Sequence, residues 1–332
     1  MGAGLYLDST SAVVRNSLFR NNAATEGGGL YNSALATTTL IGCTFDGNIC
    51  TKAGCGGKAN SFKVTDTVIS NNYQSNADDK TEGGGLYSST GLTAQNITCT
   101  GNKADTGGCL YATGLGVISN STLNSNFAHQ KGGVYSSEFG SLILDQCQLN
   151  NNTSADKGGA VFVGGNVTAT VVQMSHNYAA KNAAGVYAVG NFTAYDCTFD
   201  NNAAVDRGGV FYTHEGVFLN RCNSTGNLAG EHGGVIYTVS GTTVINSTFT
   251  ENESKNRGGS MYAQGAVVMD NCLFVRNHAE IMAGCAYTTD EVRVNNTIFR
   301  NNTAHDHAAG TYSGKTTDLQ NCLFENNISW DR

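Results

Sequence analysis

His305-Asp306-His307 places three potential metal ligands side by side. A metal centre there would need a further ligand from elsewhere. The tripeptide lies in a turn where charged residues recur, so a solvated turn is the better expectation. Asp78-Asp79 is an adjacent acidic pair, the raw material of glycoside hydrolysis or calcium binding. Lys80 and Glu82 stand beside it, which marks an inserted, solvated excursion. The histidines His129, His176, His214, His232 and His278 do not share one place in the repeat described below. The calcium-binding β-roll nonapeptide is also missing. No catalytic, cofactor-binding or metal-binding residue is nominated, and the expectation is a protein that is not an enzyme.

Most of the residues belong instead to a repeat. Tyr6, Tyr31, Tyr87, Tyr111, Tyr135, Tyr187, Tyr212, Tyr237, Tyr262, Tyr287 and Tyr312 each follow a Gly-rich step such as Gly27-Gly28-Gly29-Leu30-Tyr31. Phe162 takes the tyrosine place after Gly158-Gly159, and Asn60 is read into it after Gly56-Gly57. Out of phase with this step runs Phe-x-x-Asn, as in Phe19-Arg20-Asn21-Asn22 and Phe249-Thr250-Glu251-Asn252. Its last residue recurs in thirteen units: Asn22, Asn48, Asn72, Asn102, Asn126, Asn152, Asn177, Asn202, Asn227, Asn252, Asn277, Asn302 and Asn327. From Phe162 onward the tyrosine-place spacing is 25 residues every time.

A period of 25 suits one turn of a parallel β-helix. The Gly-Gly-x-aliphatic-Tyr step is the first strand, alternating runs such as Val217-Phe218-Leu219 are the second, and Cys-x-Phe runs such as Cys272-Leu273-Phe274 are the third. Period-2 alternation puts Cys and Phe on one inward face. The expected fold is all-β, a right-handed three-stranded parallel β-helix of about 13 coils with uncapped ends. It is expected to run as one solenoid over 1–332, with loop insertions near 49–58 and 74–82. Thirty-eight asparagines, 42 glycines and no proline fit a backbone that is hydrogen-bonded along its length. The recurring asparagine is expected to turn a corner and to form an amide ladder between coils.

The pairing of Gly-Gly-x-aliphatic with Phe-x-x-Asn resembles the repeat of the chlamydial polymorphic outer-membrane proteins. More broadly the chain resembles the right-handed parallel β-helices of the pectin-lyase-like superfamily. The first resemblance implies a surface adhesin, although no alternating barrel strands close this chain. The second raises polysaccharide lyase or hydrolase activity, but the Gly-His-Gly and Arg-x-Lys signatures of its polygalacturonases do not occur.

Three columns invite a binding role. Tyrosines that follow an aliphatic residue face outward if the aliphatic faces in, forming a structural ladder with wet hydroxyls or, alternatively, an association or sugar-stacking stripe. The turns before the Gly step often read acidic-then-basic, as in Asp156-Lys157, Asp206-Arg207, Glu231-His232, Asp306-His307 and Asp331-Arg332, a stripe for register or for a charged glycan. Of the eleven cysteines, Cys43, Cys147, Cys197, Cys222, Cys272 and Cys322 share the inward register, whereas Cys50 and Cys55 are the best disulfide candidates. Asn-x-Ser/Thr occurs twelve times; Asn120, Asn166, Asn191 and Asn246 face outward and are the candidate glycan acceptors in a secreted protein.

A net charge of −7 with scattered Lys and Arg excludes a nucleic-acid groove, and no apolar run approaches the roughly 20 residues of a membrane-inserted span. No cofactor is expected. No export leader precedes Gly2-Ala3-Gly4, so the leader has been trimmed or the protein is not secreted. Tyr312 lies 20 residues before Arg332, and Tyr6 is the fifth residue after Met1, which together restore the period of 25. That register expects either a segment of a longer β-helix or head-to-tail self-association into a filament. The functional expectation is an extracellular or cell-surface structural protein of this kind, with a glycan-binding adhesin segment as the alternative.

Overall fold

The computed structural model describes residues 2–8, 11–75 and 80–330. It is an all-β parallel solenoid of about 13 coils, with no helix among the described residues. The coils fall into two compact units, Met1–Asn166 and Val167–Arg332.

Each coil carries four strands, not three. In Val167–Arg332 one turn runs Ile236–Thr238, Thr242–Ile245, Thr248–Thr250 and Glu253–Ser254. The fourth strand is the correction to the three-stranded expectation. It is two residues long there, too short to show alternation, yet its pairing is in register: Glu253 lies over His278 and Ser254 over Ala279. The other three sheets are equally regular, with Ile236 over Met261, Val244 over Met269 and Phe249 over Phe274. In Met1–Asn166 the same four-strand turn recurs, as in Leu110–Ala112, Gly116–Ser119, Thr122–Asn124 and Phe127–Lys131.

Every left-handed residue among the described ones sits at one of three corners per coil. The first follows the second strand (Asn246, Asn271), the second precedes the ladder asparagine (Asn201, Glu251, Asn301), and the third opens the Gly step (Gly233, Gly258). The left-handed residue is thus the one before the ladder asparagine, not the ladder asparagine itself. The ladder side chain must point inward to meet its neighbours, and the preceding residue turns the chain to let it.

Val171 occupies the first corner with φ 53° and half its surface exposed. A β-branched residue is strained there. Val171→Asn is expected to raise stability by about 1 kcal/mol, seen as a melting point a few degrees higher. An unchanged melting point would show that the corner carries no strain.

The segment 49–58 is built into the solenoid. Ile49–Ala53 pairs with Ala23–Glu26 across an irregularity, and Gly57–Ala59 pairs with Leu30–Asn32. At the second insertion, Gln74 Nε2 and the Thr81 N–H both donate to the buried Asp105 carboxylate, at 3.2 and 2.9 Å. This pins the two sides of 74–82. Asp78-Asp79 lies outside the described residues.

Candidate functional site

The asparagine column forms a continuous ladder within each unit. Within the ladder the backbone N–H and the Nδ2 of one asparagine both donate to Oδ1 of the asparagine one coil on. For Asn227 and Asn252 these distances are 3.1 and 2.9 Å. The second Nδ2 proton goes to a carbonyl in the third strand of the preceding coil: Asn227 to Phe199, Asn277 to Phe249, Asn48 to Phe19. Asn48 through Asn152 in one unit and Asn177 through Asn302 in the other are buried. Their hydrogen-bonding capacity is taken up inside the solenoid.

Beside the ladder runs a column of Cys, Ser and Thr that serve the same purpose. The Cys272 thiol donates to the carbonyls of Asp270 and Val244, and Thr297 Oγ1 donates to Asn295 while accepting from Cys272 N–H. Burial raises the Cys147 and Cys272 thiols to about 11 and pushes Cys285 well above the ordinary thiol range. Cys43, Cys197 and Cys222 are also free and buried, while Cys322 is partly exposed. Cys50 is bonded to Cys55, with Cα atoms 4.5 Å apart. A second disulfide, Cys99–Cys109, spans a Cα separation of 6.3 Å.

The tyrosine column lies on the outer side of the first sheet, and much of it is covered, although Tyr6 is 49% exposed. Leu30 faces in at 0% exposure and Tyr31 faces out, as alternation requires. In Val167–Arg332, however, Tyr187, Tyr237, Tyr262 and Tyr287 are only 4–8% exposed. Their rings stack on one another, and side chains from the preceding turn close over them. The Arg207 guanidinium lies 5.3 Å from the Tyr237 ring, His232 stacks 4.7 Å from Tyr262, and Arg257 lies 5.2 Å from Tyr287. Cation–π contact is worth about 0.5–2 kcal/mol each. Arg207, His232 and Arg257 are therefore folded onto the tyrosines, and Arg207 is also paired with Glu231 at 2.8 Å. His307 contacts its own neighbour Asp306 at 2.7 Å. Asp331-Arg332 lies outside the described residues.

In Met1–Asn166 the column is interrupted. Lys58, not Asn60, aligns with Tyr31 and Tyr87, because Gly57 takes the inward aliphatic place. Its ammonium sits between the two rings, 5.9 and 5.0 Å from their centres, and pairs with Glu26 at 3.0 Å. Tyr135 leaves the column altogether. Gly132-Gly133-Val134 is one residue shorter than the usual step, so Tyr135 aligns with the inward Leu110 and Val161 and is fully buried. Gly116 makes room for it: a Cβ there would lie 2.6 Å from the Tyr135 hydroxyl. Tyr6 stacks on Tyr31, and Tyr87 on Tyr111.

His232 has an unusual environment. Its Nδ1 is buried without a hydrogen-bond partner, and Arg207 and Arg257 flank it in the column. Burial first, then the two guanidiniums, lower its pKa to about 4 against the opposing pull of Glu231. The ring is thus neutral in the fold when an unfolded chain would already be charged. Stability from this group is complete above pH 6.5 and is lost as pH falls toward 4. The loss expected is about 1–2 kcal/mol once solvent screening of a partly exposed residue is allowed for. Urea titrations at pH 7.5 and 4.5 test it: His232→Gln should flatten this part of the pH dependence, and an identical loss in the variant would assign it elsewhere.

No group of three or more His, Cys, Asp or Glu side chains among the described residues is arranged to hold a metal. His305 instead stacks edge-on with His278 at 5.3 Å and with Trp330 at 5.5 Å. A second adjacent acidic pair, Asp290-Glu291, is neutralised by Lys315 and Arg293 at 2.8 and 2.7 Å. The four candidate glycan acceptors, Asn120, Asn166, Asn191 and Asn246, are all exposed. Asn246 Oδ1 accepts from Asn271 at 2.7 Å, while Asn191 Oδ1 accepts from the Gly216 N–H. Among the described residues no helix is long and apolar enough to cross a membrane. The chain matches no protein-family model, no curated protein and no solved structure.

Proposed function

We propose that the chain is an extracellular or cell-surface structural protein, a β-solenoid that builds or belongs to a filament or surface fibre by head-to-tail stacking of coils. The observation that carries this reading is a contrast between successive coils. Leu319 and Phe324 are 44% and 43% exposed, yet the residues they lie over, Val294 and Phe299, are fully buried. One more coil would bury this apolar edge, whether it belonged to the same polypeptide or to a second copy. Unpaired parallel edges are potent templates for such addition. Two disulfides and four exposed acceptor asparagines support an oxidising compartment. The likeness of the repeats to chlamydial polymorphic outer-membrane proteins, and of the coil to right-handed pectin-lyase-like helices, supports a cell-surface setting.

Electron microscopy of the purified 332-residue chain tests this. Unbranched filaments are expected, with a coil repeat of about 4.8 Å along the axis. The double variant Leu319→Arg, Phe324→Asp should prevent them. A parent chain that stays monomeric at high concentration, or that forms only amorphous aggregate, would overturn the proposal.

The alternative, a glycan-binding adhesin segment, is favoured by one feature. A shallow groove of about 290 Å³ brings Phe218, Glu215, Thr193, Ser240 and Thr243 together, an apolar ring rimmed by polar groups. Glycan-array binding that is lost in Phe218→Ser would support it. The tyrosine stripe does not serve this reading, because much of it is covered. Polysaccharide lyase or hydrolase activity is not proposed; release of reducing or unsaturated sugar from pectin-like polymers would contradict the structural reading.

A further inference from the structure

Six tyrosines in Val167–Arg332 form one uninterrupted stack. Ring centres are 4.8 Å apart from Tyr187 to Tyr212 and from Tyr212 to Tyr237. They are 5.0 Å apart from Tyr237 to Tyr262 and from Tyr262 to Tyr287, and 4.9 Å apart from Tyr287 to Tyr312. Interplanar angles run from 2° to 19°. No aliphatic residue separates any two rings, and four of the six are nearly shut off from water. Phenol is the most readily oxidised side chain in this column, and adjacent rings in van der Waals contact exchange an electron far faster than separated ones.

A tyrosine holds an oxidising equivalent only if its phenolic proton has somewhere to go, because the phenol radical cation is a very strong acid. The stack provides one such place. The Tyr187 hydroxyl lies 2.9 Å from His214 Nε2, and the two rings meet nearly edge-on. Three of the other hydroxyls face donors. Gln264 Nε2 donates to Tyr237 at 3.2 Å, and Arg207 and Arg257 donate to Tyr212 and Tyr262. A cationic donor opposes the loss of a proton and disfavours a radical at those rings.

We propose that this column is a one-electron conduit, with the Tyr187–His214 pair as its trap for oxidising equivalents. The co-reactant is a strong one-electron oxidant, such as a photogenerated metal-centred oxidant or an activated peroxidase intermediate. It accepts one electron from Tyr312, a partly exposed ring at one end of the stack. Electrons then pass stepwise along the rings until the vacancy reaches Tyr187. There the hydroxyl proton moves to His214 Nε2. The products are a neutral tyrosyl radical, a histidinium and the oxidant reduced by one electron. Equivalents collected in this way would be diverted from the buried thiols Cys197, Cys222, Cys272 and Cys285.

The test attaches a ruthenium polypyridyl photosensitiser to Cys322, the most accessible free thiol, on the coil that carries Tyr312. Flash oxidation is followed by optical and electron-spin-resonance detection of tyrosyl radical. A long-lived radical is expected in the parent and is lost in Tyr187→Phe. His214→Phe should slow its formation about a hundredfold, the low end for loss of a positioned proton acceptor. Tyr237→Phe preserves the packing but interrupts the stack, and should also abolish the Tyr187 radical. Circular dichroism and melting temperature verify that each variant is folded. Equal radical yield in the parent, Tyr187→Phe and Tyr237→Phe would overturn the proposal, since the radical would then depend neither on Tyr187 nor on transfer through the stack.

Discussion

Asn252→Ala is expected to destabilise Val167–Arg332 by about 3–5 kcal/mol, the range reached when several buried polar groups lose their partners at once. Four hydrogen bonds end on this side chain. Oδ1 accepts from the Asn227 N–H and Nδ2 at 3.1 and 2.9 Å, and Nδ2 donates to Asn277 Oδ1 and the Ser224 carbonyl, both at 3.0 Å. Truncation strips this partner from two donors and the Ser224 carbonyl in a site that water does not reach, while Asn277 Oδ1 keeps only the Asn252 N–H at 3.1 Å. Asn252→Asp retains the acceptor but removes both donors and buries a charge, so it should be no milder. Asn191→Ala is the control. That asparagine is exposed and accepts from the Gly216 N–H, so its loss should cost about 1 kcal/mol or less. Urea denaturation followed by circular dichroism measures all three. A cost below about 1 kcal/mol for Asn252→Ala would show that the ladder is not a principal source of stability.

The coil was readable because its two motifs sit on opposite sides of one turn. Phe-x-x-Asn places a stacking ring and a ladder amide three residues apart, and each must repeat whenever the coil repeats. Other features left no periodic trace. Ala203–Ala204 pairs with Leu228–Ala229 as a fourth strand, but two residues cannot display alternation. Tyr135 looks like every other tyrosine until the missing residue before it is counted against the pairing register. The cover over the outer tyrosines comes from Arg207, His232 and Arg257, each of which reaches a ring in a later coil; only the folded register reveals that contact. Cys99 occupies a phenylalanine place and Cys109 a glycine-step place, so nothing in their spacing announced a disulfide. The chemistry of the column, and above all the Tyr187–His214 hydrogen bond, depends on the same lateral packing.

The second large effect is expected inside the coil, at Phe274. Its ring is fully buried, stacked 4.8 Å from Phe249 and 5.2 Å from Phe299. Phe274→Ala removes the middle of three rings and leaves a cavity between two others, with an expected cost of about 3–5 kcal/mol. Phe274→Leu keeps most of the volume and should cost about 1 kcal/mol, within the range for volume-conserving swaps. Phe324 occupies the same place one coil beyond Phe299, at 4.7 Å, but is 43% exposed. Phe324→Ala therefore forfeits less burial and should cost no more than about 1.5 kcal/mol. The contrast follows from the architecture: a coil's stability is its own plus that of its interfaces with the coils on either side. Hydrogen exchange distinguishes the two lesions. Phe274→Ala should reduce protection on both sides of its coil, through Thr248–Thr250 and Ile298–Arg300, whereas Phe324→Ala should leave Thr248–Thr250 unchanged. Equal costs for Phe274→Ala and Phe324→Ala in the monomeric chain would mean that stacking between neighbouring coils does not govern stability.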